Sequence, residues 1–165
     1  MKFNPFILLL LLILASCSST DCPLNNTVSM QIGFYTSETG LKTNIADTLS
    51  IRTGGRKSVT LLNRGWNFNN ISLPMGYVQP TDTLLFLFRT EAGSVTDTVL
   101  ITHTNDPHFV SLDCSTALFH TITSVKVSSR QPTENFPTVI DSIIIANPEV
   151  NYDETENLKI YLGHL

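Results

Sequence analysis

The chain has 165 residues, with 10 Lys and Arg side chains against 14 Asp and Glu, for a formal net charge of −4 at pH 7. This length is enough for one domain with a single hydrophobic core. The weakly acidic balance argues against the basic surface that nucleic-acid binding requires, so we expect no nucleic-acid partner. It argues equally against electrostatic docking on anionic lipid headgroups.

The N-terminal segment, residues 1–16, has the parts of an export signal. Lys2 supplies a positive charge, and the apolar run FILLLLLILA follows at residues 6–15. That run is too short to span roughly 30 Å of hydrocarbon, so it does not predict a transmembrane helix. Residues 14–17 (LASC) resemble the bacterial lipobox, in which cleavage precedes a cysteine that receives acyl chains such as palmitate. The resemblance predicts Cys17 as the lipidated N-terminus, and an ordinary signal peptide with a free Cys17 thiol is the alternative.

Residues 17–26 (CSSTDCPLNN) are small and polar, and they predict a short tether before a single domain at residues 27–165. Besides Cys17, the chain contains Cys22 and Cys114. Oxidising conditions outside the cytoplasm let disulfides persist, so this even pair predicts a disulfide. A loop of about ninety residues gives roughly 4–5 kcal/mol of stabilisation in the chain-entropy estimate. Two buried free thiols are the alternative, because free cysteine packs as a small hydrophobe.

The domain contains a series of short apolar or alternating runs separated by turn residues. These runs predict strands at residues 27–36, 48–53, 58–62, 71–73, 82–89, 95–104, 108–114, 117–129, 138–146 and 158–162. Residues 63–70 indicate an irregular loop, and residues 105–107 indicate a turn. No run keeps a 3.6-residue apolar period for three turns, and Thr, Val and Ile favour sheet over helix. We therefore predict an all-β fold, an antiparallel, immunoglobulin-like β-sandwich of about nine or ten strands.

Few residues suggest catalysis or metal binding. The chain lacks a G-x-S-x-G nucleophile elbow. His103 and His108, with Asp106 between them, do not have the spacing of a helical zinc motif. The segment that begins at Asn151 does not match a calcium loop, because it has Glu156 at the position of the turn glycine and Leu162 at the position of the bidentate glutamate. We predict no catalytic residue, no metal, no cofactor and a non-enzymatic protein. The alternative is a small glycan-binding or glycan-processing protein with a loop-built site. If that protein is a hydrolase, the site should gather His103, His108 or His120 with Asp and Ser.

An asparagine-rich segment, NRGWNFNN at residues 63–70, contains Arg64, Trp66 and Phe68. Exposed aromatic rings beside amides are suited to stacking on a sugar ring. These three residues are therefore the predicted ligand loop. The alternative is that Trp66, the single tryptophan of the chain, fills the hydrophobic core.

Four segments share the order aspartate, hydroxyl residue, aliphatic residue. Their hydroxyl residues are Thr48, Thr83, Thr98 and Ser142. The triplet resembles the O-glycosylation acceptor of exported Bacteroidetes proteins, which makes these four residues candidate modification sites. The alternative explanation is structural, because an aspartate commonly ends a turn and a threonine commonly begins a strand.

Several short segments accompany the lipobox. They are DCPLNN at residues 21–26, PHFVSLDC at 107–114, IDSI at 140–143 and the asparagine-containing stretch at 147–151. Together they resemble a family of uncharacterised Bacteroidetes lipoproteins over nearly the whole chain. The resemblance implies an all-β domain of unknown function with a recurrent cysteine pair, which maps onto Cys22 and Cys114.

These features predict a non-enzymatic binding or assembly module of the bacterial cell envelope, attached to the membrane by N-terminal lipid. Two or more acyl chains would make that attachment stable. The expected partner is an envelope protein or a glycan. Ser18 after the lipidated cysteine is compatible with outer-membrane sorting under the familiar lipoprotein rule, so we expect the periplasmic face of the outer membrane.

Overall fold

A computed structural model describes residues 22, 27–91, 93–109, 111–129 and 138–163. These residues contain strands and no helix. In chain order the strands are β1 (Ser29–Thr36), β2 (Thr48–Thr53), β3 (Thr60–Gly65), β4 (Asn70–Pro74), β5 (Thr81–Arg89), β6 (Ser94–His108), β7 (Ala117–Ser128), β8 (Val139–Ile145), β9 (Glu149–Val150) and β10 (Glu156–Gly163). The predicted signal peptide, the lipidated Cys17 and most of the tether lie outside the described residues.

Two sheets form a β-sandwich, which confirms the predicted fold class. One has four strands in the order β4-β1-β10-β8, and the other has six in the order β3-β2-β5-β6-β7-β9. Strands β1 and β10 pair in parallel, whereas the other pairs of neighbouring strands are antiparallel. The finer immunoglobulin-like assignment stays a prediction.

The hydrophobic core lies between the two sheets. Alternation along each strand sends every second side chain inward. The four-stranded sheet contributes Phe34, Leu158 and Ile160, and the six-stranded sheet contributes Phe86 and Phe88, all nearly inaccessible to solvent. Because β5 lies between β2 and β6, its apolar residues occupy both faces. Leu84, Phe86 and Phe88 enter the core, while Leu85 and Leu87 are half-buried on the outer face.

The structure corrects the predicted turn at residues 105–107. These residues continue β6 to His108 and pair with β7. The ladder between β5 and β6 ends at Thr102, so the last part of β6 has a strand partner on one side only in the described structure. Proline lacks an N–H and is tolerated on such an edge. Among the described residues of the predicted strand at 108–114, only His108 belongs to a strand, and Leu112 lies in a turn with its side chain fully exposed.

A disulfide joins Cys22 to Cys114. Their Cα atoms are 5.4 Å apart, and the two cysteines are separated by 92 positions in the sequence. The predicted bond is therefore confirmed, and the alternative of two free thiols is wrong. The bond fastens the beginning of the described chain to the loop that connects β6 to β7. No helix among the described residues is long and apolar enough to cross a membrane.

Candidate functional site

A β-bulge on β3 shapes the outer face of the six-stranded sheet. Leu49 of β2 pairs with Gly65, and Ile51 pairs with Leu62, so β3 has one residue more than β2 between these pairs. The extra backbone includes Arg64, whose φ is 53°. Its N–H donates a hydrogen bond to Ser50 Oγ at 3.0 Å. Bulges of this kind redirect side chains, and they are over-represented near active sites.

Three arginines meet on this face. Residues of β2 alternate, with Leu49 and Ile51 in the core and Thr48, Ser50 and Arg52 outside. In the register of β2 and β5, Arg89 lies opposite Thr48. Side chains directly opposite one another across antiparallel strands are about 5 Å apart at Cβ. Arg52 on β2, Arg64 on β3 and Arg89 on β5 thus surround the hydroxyl residues of β2.

These side chains line a depression of about 240 Å³, which we call the arginine cavity. Its polar lining consists chiefly of Thr48, Ser50, Arg52, Asn63, Arg64 and Arg89. A second depression of about 400 Å³, the tryptophan cavity, adjoins it. The tryptophan cavity shares three of those residues and adds others. Its polar and aromatic lining is Asp47, Thr48, Arg64, Trp66, Arg89, Thr90 and Glu91.

Trp66 is 67% exposed, so its alternative assignment to the hydrophobic core is wrong. Its indole Nε1 donates a hydrogen bond to Ala46 O at 3.1 Å, which fixes the ring and leaves its faces accessible. Asn67 follows with φ 57°, and its side-chain oxygen accepts a hydrogen bond from Asn44 Nδ2 at 2.9 Å. The loop is therefore fastened to the segment that precedes β2.

Phe68, the third residue of the predicted ligand loop, has a different role. It packs edge-on against the buried Phe34, with ring centroids 5.8 Å apart and an interplanar angle of 80°. The two adjoining cavities together form one groove. Phe68 lines neither cavity, so it belongs to the edge of the core and not to this groove. Arg64 and Trp66 line the same cavity, as the predicted ligand loop implied. Arg52 and Arg89 were not identified from the sequence as residues of this site.

The two cavities differ in charge. The arginine cavity is lined by three guanidinium groups and no carboxylate. The tryptophan cavity has two arginines and two acids, Asp47 and Glu91. The ion pairs of the described residues are Lys42 with Glu156 and His103 with Asp82, so none involves the three arginines. Their charge is therefore directed at solvent or at a ligand.

The histidines of the predicted hydrolase alternative lie elsewhere. His103 and His120 are each 2% exposed, and their rings meet edge to face with centroids 5.2 Å apart. His103 Nε2 lies 3.3 Å from Asp82 Oδ2, and the same oxygen accepts the Gly76 N–H at 2.8 Å. His120 Nδ1 is 2.7 Å from Asn105 Oδ1. Burial closes this pair to a substrate.

Burial and the neighbouring His103 lower the pKa of His120, while Asp82 and Asp106 act in the opposite direction. His108 is separate and stacks on Phe119 with ring centroids 4.1 Å apart. Within the described ranges, no group of three or more His, Cys, Asp or Glu side chains is arranged to hold a metal ion.

The four candidate glycosylation residues occupy different environments. Thr83 and Thr98 are half-buried in β5 and β6, Thr48 is half-buried in the groove, and Ser142 is exposed on β8. One of the aspartates in these triplets has a clear structural role, because buried Asp97 accepts the Ile140 N–H through Oδ2 at 2.8 Å. Modification stays a prediction, and Ser142 is the most accessible of the four.

Fold and site together define a disulfide-linked β-sandwich with a polar, arginine- and tryptophan-lined groove on one sheet. The chain belongs to a family of unknown function, DUF6452, which matches residues 48–162. This agrees with the predicted membership of an uncharacterised family, while the Bacteroidetes origin and the lipobox stay predictions. No curated protein and no solved structure matches the chain.

Proposed function

We propose that this protein is a lipid-anchored, non-enzymatic binding module of the bacterial cell envelope, and that it binds a glycan in the tryptophan cavity. The observation that carries the glycan proposal is Trp66, an exposed aromatic ring held in place on a polar surface. Surface tryptophan of this kind presents a large apolar face at little entropic cost, since the ring is already immobilised.

The surroundings of Trp66 fit a carbohydrate. The C–H groups of a sugar ring pack on an aromatic face, and its hydroxyl groups need acceptors and donors around that face. Asp47 and Glu91 supply acceptors, and Arg64 and Arg89 supply donors, all lining the same cavity as Trp66. This arrangement supports binding and needs no reacting group.

The groove also supports a non-enzymatic role over the hydrolase alternative. Hydrolysis at a loop-built site requires a base within reach of substrate. His103 and His120 are buried beneath the surface, and His108 stacks on Phe119 and lines neither cavity. The histidine-based hydrolase site is therefore not carried forward as a second proposal.

A glycan panel tests the binding proposal. We expect the purified protein to bind to a subset of immobilised envelope and extracellular glycans. Trp66→Ala should reduce the amount of bound protein at least tenfold, because it removes the stacking surface. Phe109→Ala is the matched control, since Phe109 is 69% exposed and lines neither cavity. Equal retention by wild type and Trp66→Ala would refute the proposed site.

A second experiment addresses the anchor. In the native cell, we expect metabolic labelling with an alkyne analogue of palmitate to mark the wild-type protein, and Cys17→Ala to abolish both labelling and membrane sedimentation. Cross-linking and pulldown from the same membranes then compares partners. A stoichiometric protein that is absent from the Cys17→Ala sample would make envelope assembly the function, whereas recovery of glycan alone would favour ligand binding.

A further inference from the structure

The arginine cavity has a charge that the rest of the molecule does not share. The protein as a whole has a formal net charge of −4, yet three arginines line this one depression without a carboxylate. Three like charges repel one another, and solvent screening reduces that repulsion only in part. An arrangement of this type is stabilised when an anion occupies it.

The backbone provides a second, independent observation. Arg64 adopts a left-handed conformation, with φ 53°, in which the Cβ atom of a non-glycine residue is sterically disfavoured. The strain occurs at one of the three residues that line both cavities. Strained residues cluster at ligand sites, because the fold holds a side chain where binding needs it.

The guanidinium group identifies the chemistry of the ligand. Its planar fork donates two parallel hydrogen bonds to a carboxylate or a phosphate, and such charge-assisted bonds are about twice as strong as neutral ones. Ser50 and Asn63 add polar side chains that can bond to further oxygen atoms. The shared feature of suitable ligands is therefore a compact oxyanion.

We propose that the arginine cavity binds the acidic group of a charged carbohydrate, either a carboxylate or a phosphate ester, while Trp66 stacks on the sugar ring that bears or adjoins it. The two cavities share Thr48, Arg64 and Arg89, so a single ligand can occupy both. This inference rests on the proposed function, because it assigns the ligand class of the same groove.

The charge distribution favours a ligand with a localised anion over a uniformly charged polymer. Asp47 and Glu91 line the tryptophan end of the groove and would repel a second anionic group placed there. A sugar that has one acidic group and several hydroxyls places its anion beside the arginines and its hydroxyls beside the acids. Nucleic acid, with a charge on every nucleotide, does not match this pattern.

The test is a calorimetric comparison of matched ligands. The full-length protein, solubilised in a non-ionic detergent, is titrated with a neutral oligosaccharide that ends in one hexuronic acid, with the same oligosaccharide after reduction of that carboxylate to an alcohol, and with an oligosaccharide that carries one phosphate ester instead. We expect at least one acidic ligand to bind about tenfold or more tightly than the reduced one, and its affinity to fall at high salt. The stronger of the two acidic ligands identifies the oxyanion.

Variants distinguish the anion site from the stacking site. Arg64→Gln and Arg89→Gln should each weaken binding of the acidic ligand several-fold more than binding of the reduced ligand, whereas Trp66→Ala should weaken both ligands to a similar degree. Arg56→Gln is the control. Arg56 is an exposed arginine in the connection between β2 and β3, and it lines neither cavity. It removes the same charge and should have no effect.

The outcomes separate the two proposals. Equal affinity for acidic and reduced ligands, with both weakened by Trp66→Ala, would overturn the acidic-ligand inference and leave glycan binding in place. Acid-dependent binding that is insensitive to Arg64→Gln and Arg89→Gln would also overturn the inference. If none of these ligands and no member of the glycan panel binds, the proposed function fails together with the inference.

Discussion

Arg64 combines a disfavoured backbone conformation with a position in the groove. Glycine adopts positive φ without the steric penalty of a Cβ atom. Because Arg64 is exposed and its side chain contributes little packing, we expect Arg64→Gly to raise the free energy of unfolding by about 1 kcal/mol. The same substitution should lower affinity for an acidic glycan. Urea denaturation and calorimetry measure the two effects on one variant.

Arg64→Gln separates strain from charge in this experiment. Glutamine keeps the Cβ atom and therefore the backbone penalty, but it removes the guanidinium group. We expect this variant to lose affinity without gaining stability. A fall in stability for Arg64→Gly would show that the side chain packs against the sheet and that the strain argument is wrong.

His120 supports a prediction about pH. Burial and the proximity of His103 hold the pKa of His120 below its ordinary value of 6.5. The unfolded chain therefore binds a proton more readily than the folded protein, and stability rises with pH in that window. The contribution of neutral His120 to the free energy of unfolding is complete above pH 6.5. It is lost as the pH falls from 6.5 through the lower pKa of His120 in the folded protein. We expect urea midpoints to decrease between pH 7 and about pH 5.5.

The variant His120→Gln should flatten this dependence, although loss of the ring lowers stability at every pH. His108→Gln is the control, because His108 is half-buried and its ring stacks on Phe119, whereas the rings of His103 and His120 pack on each other. The prediction fails if the wild type and His120→Gln have the same slope between pH 7 and about pH 5.5.

At the scale of elements, the parallel pair β1–β10 places Tyr35 beside Glu156. Tyr35 Oη donates a hydrogen bond to Glu156 Oε1 at 2.7 Å, and Lys42 Nζ lies 3.1 Å from Glu156 Oε2. Burial, this hydrogen bond and the carboxylate charge together raise the pKa of Tyr35 to about 12. We expect Glu156→Gln to lower that pKa part of the way toward 10.0, because burial remains.

Carbon-13 NMR of labelled tyrosine in an alkaline titration measures this change, and Tyr35→Phe assigns the resonance. Glu154→Gln is a suitable control, since Glu154 is an exposed acid two residues before Glu156. An unchanged Tyr35 pKa in Glu156→Gln would mean that the two side chains do not bond in solution.

Strand positions were accessible from the sequence, because alternation and β-branched residues depend on local spacing. The predicted runs at 48–53 and 82–89 agree closely with β2 and β5. Pairing between strands depends on contacts that no local pattern encodes, and β2 pairs with β5 across two intervening strands. Arg89 was therefore missed as a neighbour of Arg64. The available signal was that Arg52 and Arg89 each lie near the end of a predicted strand, at 48–53 and 82–89.

Other differences also arise from tertiary context. Residues 105–107 have the composition of a turn, but pairing with β7 keeps them extended. Asn63 and Arg64 were assigned to a loop because a bulge interrupts the alternation that identifies a strand. The buried pair His103 and His120 could not be anticipated, because it depends on the β6–β7 register.

At the scale of the molecule, the sandwich depends on segments from both ends of the described chain. β1 lies between β4 and β10 in the four-stranded sheet, and β10 lies between β1 and β8. The family match begins at residue 48, after β1. A fragment restricted to residues 48–162 would expose the edges of β4 and β10 and the core residues beneath them. The folding unit therefore includes residues 29–36.

The Cys22–Cys114 disulfide supplies the last prediction. It closes a loop with a sequence separation of 92, for which chain entropy gives roughly 4–5 kcal/mol of stabilisation. We expect a reducing agent to lower the free energy of unfolding by several kcal/mol, and the paired variant Cys22→Ser with Cys114→Ser to match the reduced wild type. The paired variant should not respond further to reductant, which controls for effects of the reagent itself.

Because the bond lies close in sequence to the predicted anchor at Cys17, its loss should also lengthen the free chain between the lipid and the sandwich. Limited proteolysis should then cleave the segment before β1 faster in the reduced protein than in the oxidised protein. Equal cleavage rates and equal free energies of unfolding in the two forms would show that the bond does not constrain the domain.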